Sequence, residues 1–375
     1  MSNTRSNDCD SEYVIFGMGT TSPQSPPDRR AVLGCLIGTA VGDALGLPYE
    51  GLSPRRAQRM LGAPDRYRFL FRRGMVSDDT EHMCMVLQSL LGSQGEIPRF
   101  RDDFASRLKW WMLSLPAGTG LATARAIFKL WVGFSPTSSG VYSAGNGPAM
   151  RAAILGVMLP LTRLLQYVSA SSQITHTDPK ATYGAIAVAL ASHLASHGEK
   201  VDPSEYLKLL TDVLKSEQPD ELLSLMQRAI ISLESGASTF EFSSSVASER
   251  GVTGYVYHTV PVAVYAWLKN QHDFRAAIQD VISCGGDADT TAAIVGGIVG
   301  AAVGIEGIPE EWQHGILDWP LSINWIRKLG HAASEQLQSK EDVVPSLPFL
   351  GRVSRNLLFL LVVLAHGFRR LAPPY

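Results

Sequence analysis

The chain has 375 residues, 45% of them hydrophobic and 18% charged, with a formal net charge of -2. That length holds one large domain or two ordinary ones, with a substantial core in either case. The near-neutral balance argues against a generic nucleic-acid binder, which needs a surplus of Lys and Arg, and four cysteines (Cys9, Cys35, Cys84, Cys284) without CxxC or zinc-finger spacing read as reduced thiols.

Residues 1–28 are polar, punctuated by Pro23, Pro26 and Pro27, and lack the apolar core of a secretory signal, so they read as a disordered tail of a cytoplasmic protein. From Arg29 onward the apolar periodicity is helical. It predicts helices over about 29–45, 79–92, 100–114, 119–132, 148–167, 179–197, 203–215, 219–233, 260–269, 272–283, 289–303 and 321–338. Asp78 with Glu81 has capping-box spacing, Asp202-Pro203 places Pro at a helix start, and Thr259 precedes Pro261 by two. Tyr255-Val256-Tyr257 is the best strand candidate, short and isolated. The Gly/Ala-rich run from Ala292 to Ala302 predicts a central, fully buried helix, because glycine costs about 1 kcal/mol inside a helix and its abundance implies close approach of neighbours. The simplest account is one compact all-α domain of orthogonal helices over residues 29–340, followed by an appendage at 341–375 introduced by Pro345 and Pro348.

Two apolar runs test for membrane spans. Thr290 to Ile305 has 16 residues and Leu357 to Ala365 fewer, both below the roughly 20 needed to cross. Arg352, Arg355, Arg369 and Arg370 flank the second run, which reads first as a docked amphipathic helix and second as a peripheral membrane contact. Between Arg55 and Arg73 stand seven arginines against one acid, Asp65: a solvated basic face, or a steering patch for an anion.

Chemistry concentrates in two acidic clusters more than two hundred residues apart, Ser77-Asp78-Asp79-Thr80 and Asp287-Ala288-Asp289-Thr290. One Asp suffices to cap a helix; a second beside it adds repulsion unless a cation compensates it. Carboxylate and hydroxyl oxygens are hard ligands, so the two clusters face to face suit Mg²⁺ or Mn²⁺. Gly285 and Gly286 permit a tight turn ahead of the second, where Asp287, Asp289 and Thr290 converge. Asp43 ends an apolar helix, a poor place for a negative charge, and Glu50 follows on a loop from which it reaches a ligand or metal. Gly145-Asn146-Gly147 offers amides to an anion at a helix start, without the Lys-Ser/Thr of a P-loop, and His176 precedes a helix within reach of substrate hydroxyls or phosphate.

In this order the segments resemble the ADP-ribosylglycohydrolase family, which includes the dinitrogenase-reductase-activating glycohydrolases. The matching pieces are Gly34-Cys35-Leu36-Ile37-Gly38 with Gly42-Asp43-Ala44-Leu45-Gly46, then Ser77 to Glu81, Gly145-Asn146-Gly147 with Ala149-Met150-Arg151, Thr175-His176 with Pro179, and Gly285 to Thr290. The resemblance implies an all-α fold with two Mg²⁺ or Mn²⁺ ions in a central cleft, held by Ser77, Asp78 and Asp79 on one side and Asp287, Asp289 and Thr290 on the other. It places Glu50 near the metals, Ser143, Asn146 and His176 near bound ADP-ribose, and Tyr255 at the mouth. Glu50 and Asp79 are the leading general bases for attack at C1″ of the distal ribose. The substrate is an ADP-ribosylated protein or a small molecule such as O-acetyl-ADP-ribose. Arginine-directed relatives carry an aspartate about where Gly118 stands here. A monomer is favoured, with no membrane span. The alternatives are a non-catalytic ADP-ribose binder or crystallin-like structural protein, and, less favoured, another dinuclear hydrolase.

Overall fold

Gly34, Gly38, Gly42 and Gly46 recur every fourth residue, so one face of the first long helix carries no side chain. A computed structural model, describing residues 27–215, 217, 219–335 and 344–371, shows what that face meets. Its helices are α1 Arg29–Gly46, α2 Pro54–Met60, α3 Asp78–Gly92, α4 Ile97–Leu113, α5 Leu121–Trp131, α6 Gly147–Met150, α7 Ala153–Met158, α8 Leu161–Gln173 and α9 Pro179–Ala195. Then follow α10 Pro203–Leu214, α11 Asp220–Glu234, α12 Thr239–Val246, α13 Val256–Lys269, α14 Phe274–Ile282, α15 Ala288–Val303, α16 Glu310–Gly315, α17 Ile323–Glu335 and α18 Phe349–Arg369. Among the described residues the β-structure is limited to isolated bridges, and the fold is all-α. The tail expected over 1–28 lies, apart from residues 27 and 28, outside the described residues; Asp28 caps α1 by accepting from the Arg30 amide.

α1 and α15 run antiparallel through the core, and every residue of α15 is buried, as its glycine content predicted. Gly34 faces Gly300, Gly38 faces Gly296, Gly42 faces Ala292 and Gly46 faces Ala288, with the backbones almost touching. This register sets the end of α1, with Asp43, beside the start of α15, with Asp287 to Thr290.

Four sequence expectations need correction. Tyr255-Val256-Tyr257 is no strand: α13 begins at Val256, three residues before Thr259, and Pro261 lies inside it, leaving the Tyr257 carbonyl without its usual intrahelical donor. A buried helix and a buried strand look alike over a short apolar run. The helix expected over 148–167 is three pieces, α6, α7 and the start of α8, interrupted at extended Leu159 and Pro160. The capping box at Asp78 and Glu81 does not form. Ser77 is the N-cap, and Glu81 instead accepts from the Trp111 indole at 2.7 Å. The apolar run at 357–365 belongs to a 21-residue helix, so α18 and residues 29–49 are each long and apolar enough to cross a membrane; the latter stretch is wholly buried.

The first half of α18 is locked into the domain by a buried charge cluster. Arg355 donates to both oxygens of Asp318, at 2.9 and 2.7 Å, and to the Val76 carbonyl, with Glu81 3.8 Å away. Asn356 donates to the Ser114 carbonyl at 2.8 Å. Removing one partner strands the other's charge away from water, so Arg355→Ala is expected to lower the unfolding free energy by about 3–5 kcal/mol. Urea titration checks this. The double variant Arg355→Met/Asp318→Leu should recover much of the loss, and a single variant with an unchanged midpoint would refute the account.

Candidate active site

Four loops are stitched together beside the α1–α15 contact. The Gly51 amide donates to the Gly286 carbonyl at 2.7 Å, and the Gly286 amide returns a bond to Leu52 at 2.8 Å. The Asp287 amide donates to Val252 at 2.8 Å, and the Asn146 amide to Gly254 at 3.0 Å. Gly285 and Gly286 both have positive φ, and a methyl group on Gly286 would stand 1.9 Å from the Val252 carbonyl oxygen. Glycine is therefore required at the turn that launches Asp287.

A cavity of about 600 Å³ opens over these loops, and Glu50, Asp78, Ser143, Asn146, His176, Asp287, Asp289 and Thr290 all line it. Asp79 and Ser77 lie beneath: the Ser77 hydroxyl donates to Asp79 Oδ2 at 3.0 Å, and the Thr290 hydroxyl contacts that oxygen at 3.4 Å. The two acidic clusters thus meet. Tyr255 stands one residue beyond Gly254, which lines the cavity. It lies outside the lining, its hydroxyl bound to Lys180 at 3.0 Å and Glu221 at 3.1 Å, though its backbone bridges Gly145.

The electrostatics are those of crowded negative charge. Burial, then Asp43, raise the carboxyls of Asp78 and Asp79 well above the ordinary range; burial, then Glu50 and Asp287, do the same for Asp289. Glu50 at the rim is raised by desolvation in the cleft and by Asp287. Asp79 Oδ1 and Asp289 Oδ1 are buried with no hydrogen-bond partner. Among the described residues no three Asp, Glu, His or Cys side chains form a ready metal cage.

Supporting residues fix these groups. Asn146 donates to Asp287 Oδ2 at 2.6 Å and to the Thr259 hydroxyl at 3.0 Å. His176 sits against Gly145 and Gly147, where added methyl groups would lie 2.9 and 3.0 Å from its ring; the Gly-Asn-Gly loop makes room for an imidazole. Burial and Arg151 lower its pKa to about 3, so the ring is neutral.

The ADP-ribosylglycohydrolase family model matches residues 24–342. The chain belongs to the ADP-ribosylglycohydrolase family. It is 34% identical over 293 residues to an uncharacterized protein of Archaeoglobus fulgidus, covering 76% of this chain and 90% of the relative. Over 354 residues it is 29% identical to ADP-ribosylhydrolase ARH3 of Gallus gallus (79% and 91% covered), and over 298 residues 25% identical to ADP-ribosyl-[dinitrogen reductase] glycohydrolase of Rhodospirillum rubrum (76% and 90%). A solved ADP-ribosylglycohydrolase-related protein complex superposes with a TM-score of 0.59 at 25% identity, covering 82% of this chain and 96% of that one. This glycohydrolase is a glycosidase-type hydrolase.

Three contributors to the glycohydrolase site had no assigned role in sequence. Asp43 is fully buried and holds the start of α3, accepting from the Ser77 amide at 2.8 Å and the Thr80 hydroxyl at 2.5 Å; burial still lifts its pKa to about 6. Arg151, fully buried behind the cavity, donates to the Thr175 hydroxyl at 2.7 Å, which in turn meets His176 Nδ1 at 2.9 Å. Its signal was a lone cation within an apolar stretch. Arg370, just past α18, donates to the Glu50 carbonyl at 2.8 Å and the Pro48 carbonyl at 2.5 Å, tying the appendage to the Glu50 loop.

Proposed function

We propose that this glycohydrolase cleaves the C1″ bond of ADP-ribosyl adducts with the help of two divalent cations, Mg²⁺ or Mn²⁺. The observation that carries this reading is the pair of unpartnered buried oxygens, Asp79 Oδ1 and Asp289 Oδ1, amid carboxylates that raise one another's pKa. Such an arrangement is costly by itself and is relieved by cations bound to hard oxygen donors. Ser77, Asp78 and Asp79 would hold one side, and Asp287, Asp289 and Thr290 the other. Bound cations supply positive charge that neutralises these carboxylates, orients a sugar diol and acidifies a nearby nucleophilic water.

The chain's own groups do the rest. Asn146 fixes the Asp287 carboxylate through one short hydrogen bond. Glu50, exposed at the cavity rim with its pKa raised, is suited to exchange a proton with water attacking C1″, and Asp79 is the second candidate for that role. Neutral His176, braced at Nδ1 by Thr175, presents Nε2 toward the loop of Gly145 to bind a substrate oxygen, alongside Ser143. Arg250 lines the same cavity and provides a cation for a diphosphate. Gly118, with φ of +82° and open space where a side chain would stand, offers no carboxylate to a guanidinium leaving group. Serine-linked or acetyl-ester substrates therefore fit better than arginine-linked ones.

Incubation with arginine-linked, serine-linked and O-acetyl ADP-ribose under Mg²⁺, Mn²⁺ or EDTA is the test. Free ADP-ribose is expected from the serine or ester substrate only with metal present. Undiminished release with EDTA throughout would reject the cation scheme, and a preference for the arginine adduct would reject the argument from Gly118.

A further inference from the structure

We infer that α18 and the arginine-rich segment at 55–73 form a docking surface for an anionic lipid bilayer, with α18 lying in the membrane plane. α18 lies beyond the residues matched by the family model, so the shared chemistry does not account for it. Leu357, Leu361, Leu364, Phe368 and Leu371 recur at intervals of four and three from the middle of α18 to just past its end and are exposed, Leu361 at 64% and Phe368 at 68%. Only 22% of the most apolar window of this helix is buried. An apolar stripe of that length facing water is uncommon on a soluble monomer unless something covers it.

The charge beside the stripe identifies what covers it. α18 contains no acid, and a groove of about 680 Å³ between it and the loop after α2 is lined by Arg66, Arg68, Arg72 and Arg369, four cations against one acid, Asp65, which pairs with Arg66 and Arg68. Phe71, 82% exposed, stands at the groove among these arginines. Leucine and phenylalanine beside a band of guanidinium groups is the pattern of an interfacial helix: the apolar face enters the acyl boundary while the cations meet anionic headgroups. A second copy pairing through the same stripe would bring arginine-rich surfaces together without an acid on either helix, which the charge distribution disfavours. A spanning orientation is opposed by Arg355 and Asn356, whose bonds to Asp318 and Ser114 keep the first half of α18 on the domain.

The test is co-sedimentation of the full chain with vesicles of phosphatidylcholine alone or mixed with phosphatidylserine, at low and high salt. Binding is expected to the mixed vesicles and to weaken at high salt, because screening shortens the reach of the arginines. Leu361→Asp/Phe368→Asp, both at exposed sites, should weaken it on the order of tenfold or more, and Arg72→Gln/Arg369→Gln on the order of tenfold, with unchanged thermal unfolding. Failure of the wild-type chain to sediment with phosphatidylserine vesicles at low salt would overturn the inference. So would a dimer in light scattering that Leu361→Asp dissolves, since a second copy would then occupy the face.

Discussion

Asp289→Asn is expected to lower turnover more than about a hundredfold while making the metal-free protein more resistant to heat. Both effects come from one carboxyl. Asp289 is 5% exposed, Oδ1 has no partner, and Glu50, Asp287, Asp79 and Asp43 all oppose its ionisation. Without cations the carboxylate is a liability, and the amide removes the repulsion at nearly constant volume. With cations it is a ligand, and its loss weakens the site. Added Mg²⁺ or Mn²⁺ should therefore raise the melting temperature of the wild-type chain and barely move that of the variant. A variant that turns over at the wild-type rate in Mg²⁺ would end the assignment of Asp289 as a ligand.

The same crowding fixes a pH dependence. Asp43 is raised from 3.8 to about 6, chiefly by burial, and burial with neighbouring carboxylates also raises Asp78, Asp79 and Asp289 well above the ordinary range. Above pH about 4 the unfolded chain releases these protons while the folded chain still holds them. Metal-free stability is accordingly greatest near pH 4 and falls as pH rises from there through about 6, the folded-state value of Asp43. Asp289→Asn should flatten that decline. Saturating Mg²⁺ should oppose it, because cations and protons compete for the same oxygens.

What sequence reveals here depends on how local each signal is. Two adjacent acids with hydroxyls at a helix start are chemically odd within four residues, so Ser77 to Thr80 and Asp287 to Thr290 announced themselves, and the cavity contains or adjoins every one of their predicted ligands. The buried glycine helix was legible for the same reason, since its cost appears in the composition. Roles that depend on distant partners were not. Asp43 looked misplaced at the end of α1 because the amides it serves belong to α3, 34 residues on. Glu81 had capping-box spacing, yet Trp111 and Arg355 claim it. Tyr255 matched a family position by its neighbours, and nothing local showed that Lys180 and Glu221 would engage its hydroxyl.

The packing that holds the site together yields the second large effect. Gly38→Ala is expected to destabilise the fold by about 3 kcal/mol or more, although alanine is the better helix former. The new methyl carbon would stand 2.1 Å from the Gly296 carbonyl oxygen, with Gly300 Cα at 3.1 Å. Those are backbone atoms, so no side-chain rotation relieves the overlap, and α1 and α15 must separate. Gly367→Ala is the matched control: it lies within α18 with open space at the Cβ position, and there the same change should stabilise by about 0.5–1 kcal/mol. Opposite signs in denaturant titrations would establish close contact as the cause. Equal, small effects at both positions would mean that α1 and α15 do not touch as closely as described. Separation at Gly38 would also spread the far end of the contact, where an added methyl on Gly46 would come within 2.6 Å of Asp289 Cα, so Gly38→Ala should lose metal-induced thermal stabilisation along with its fold stability.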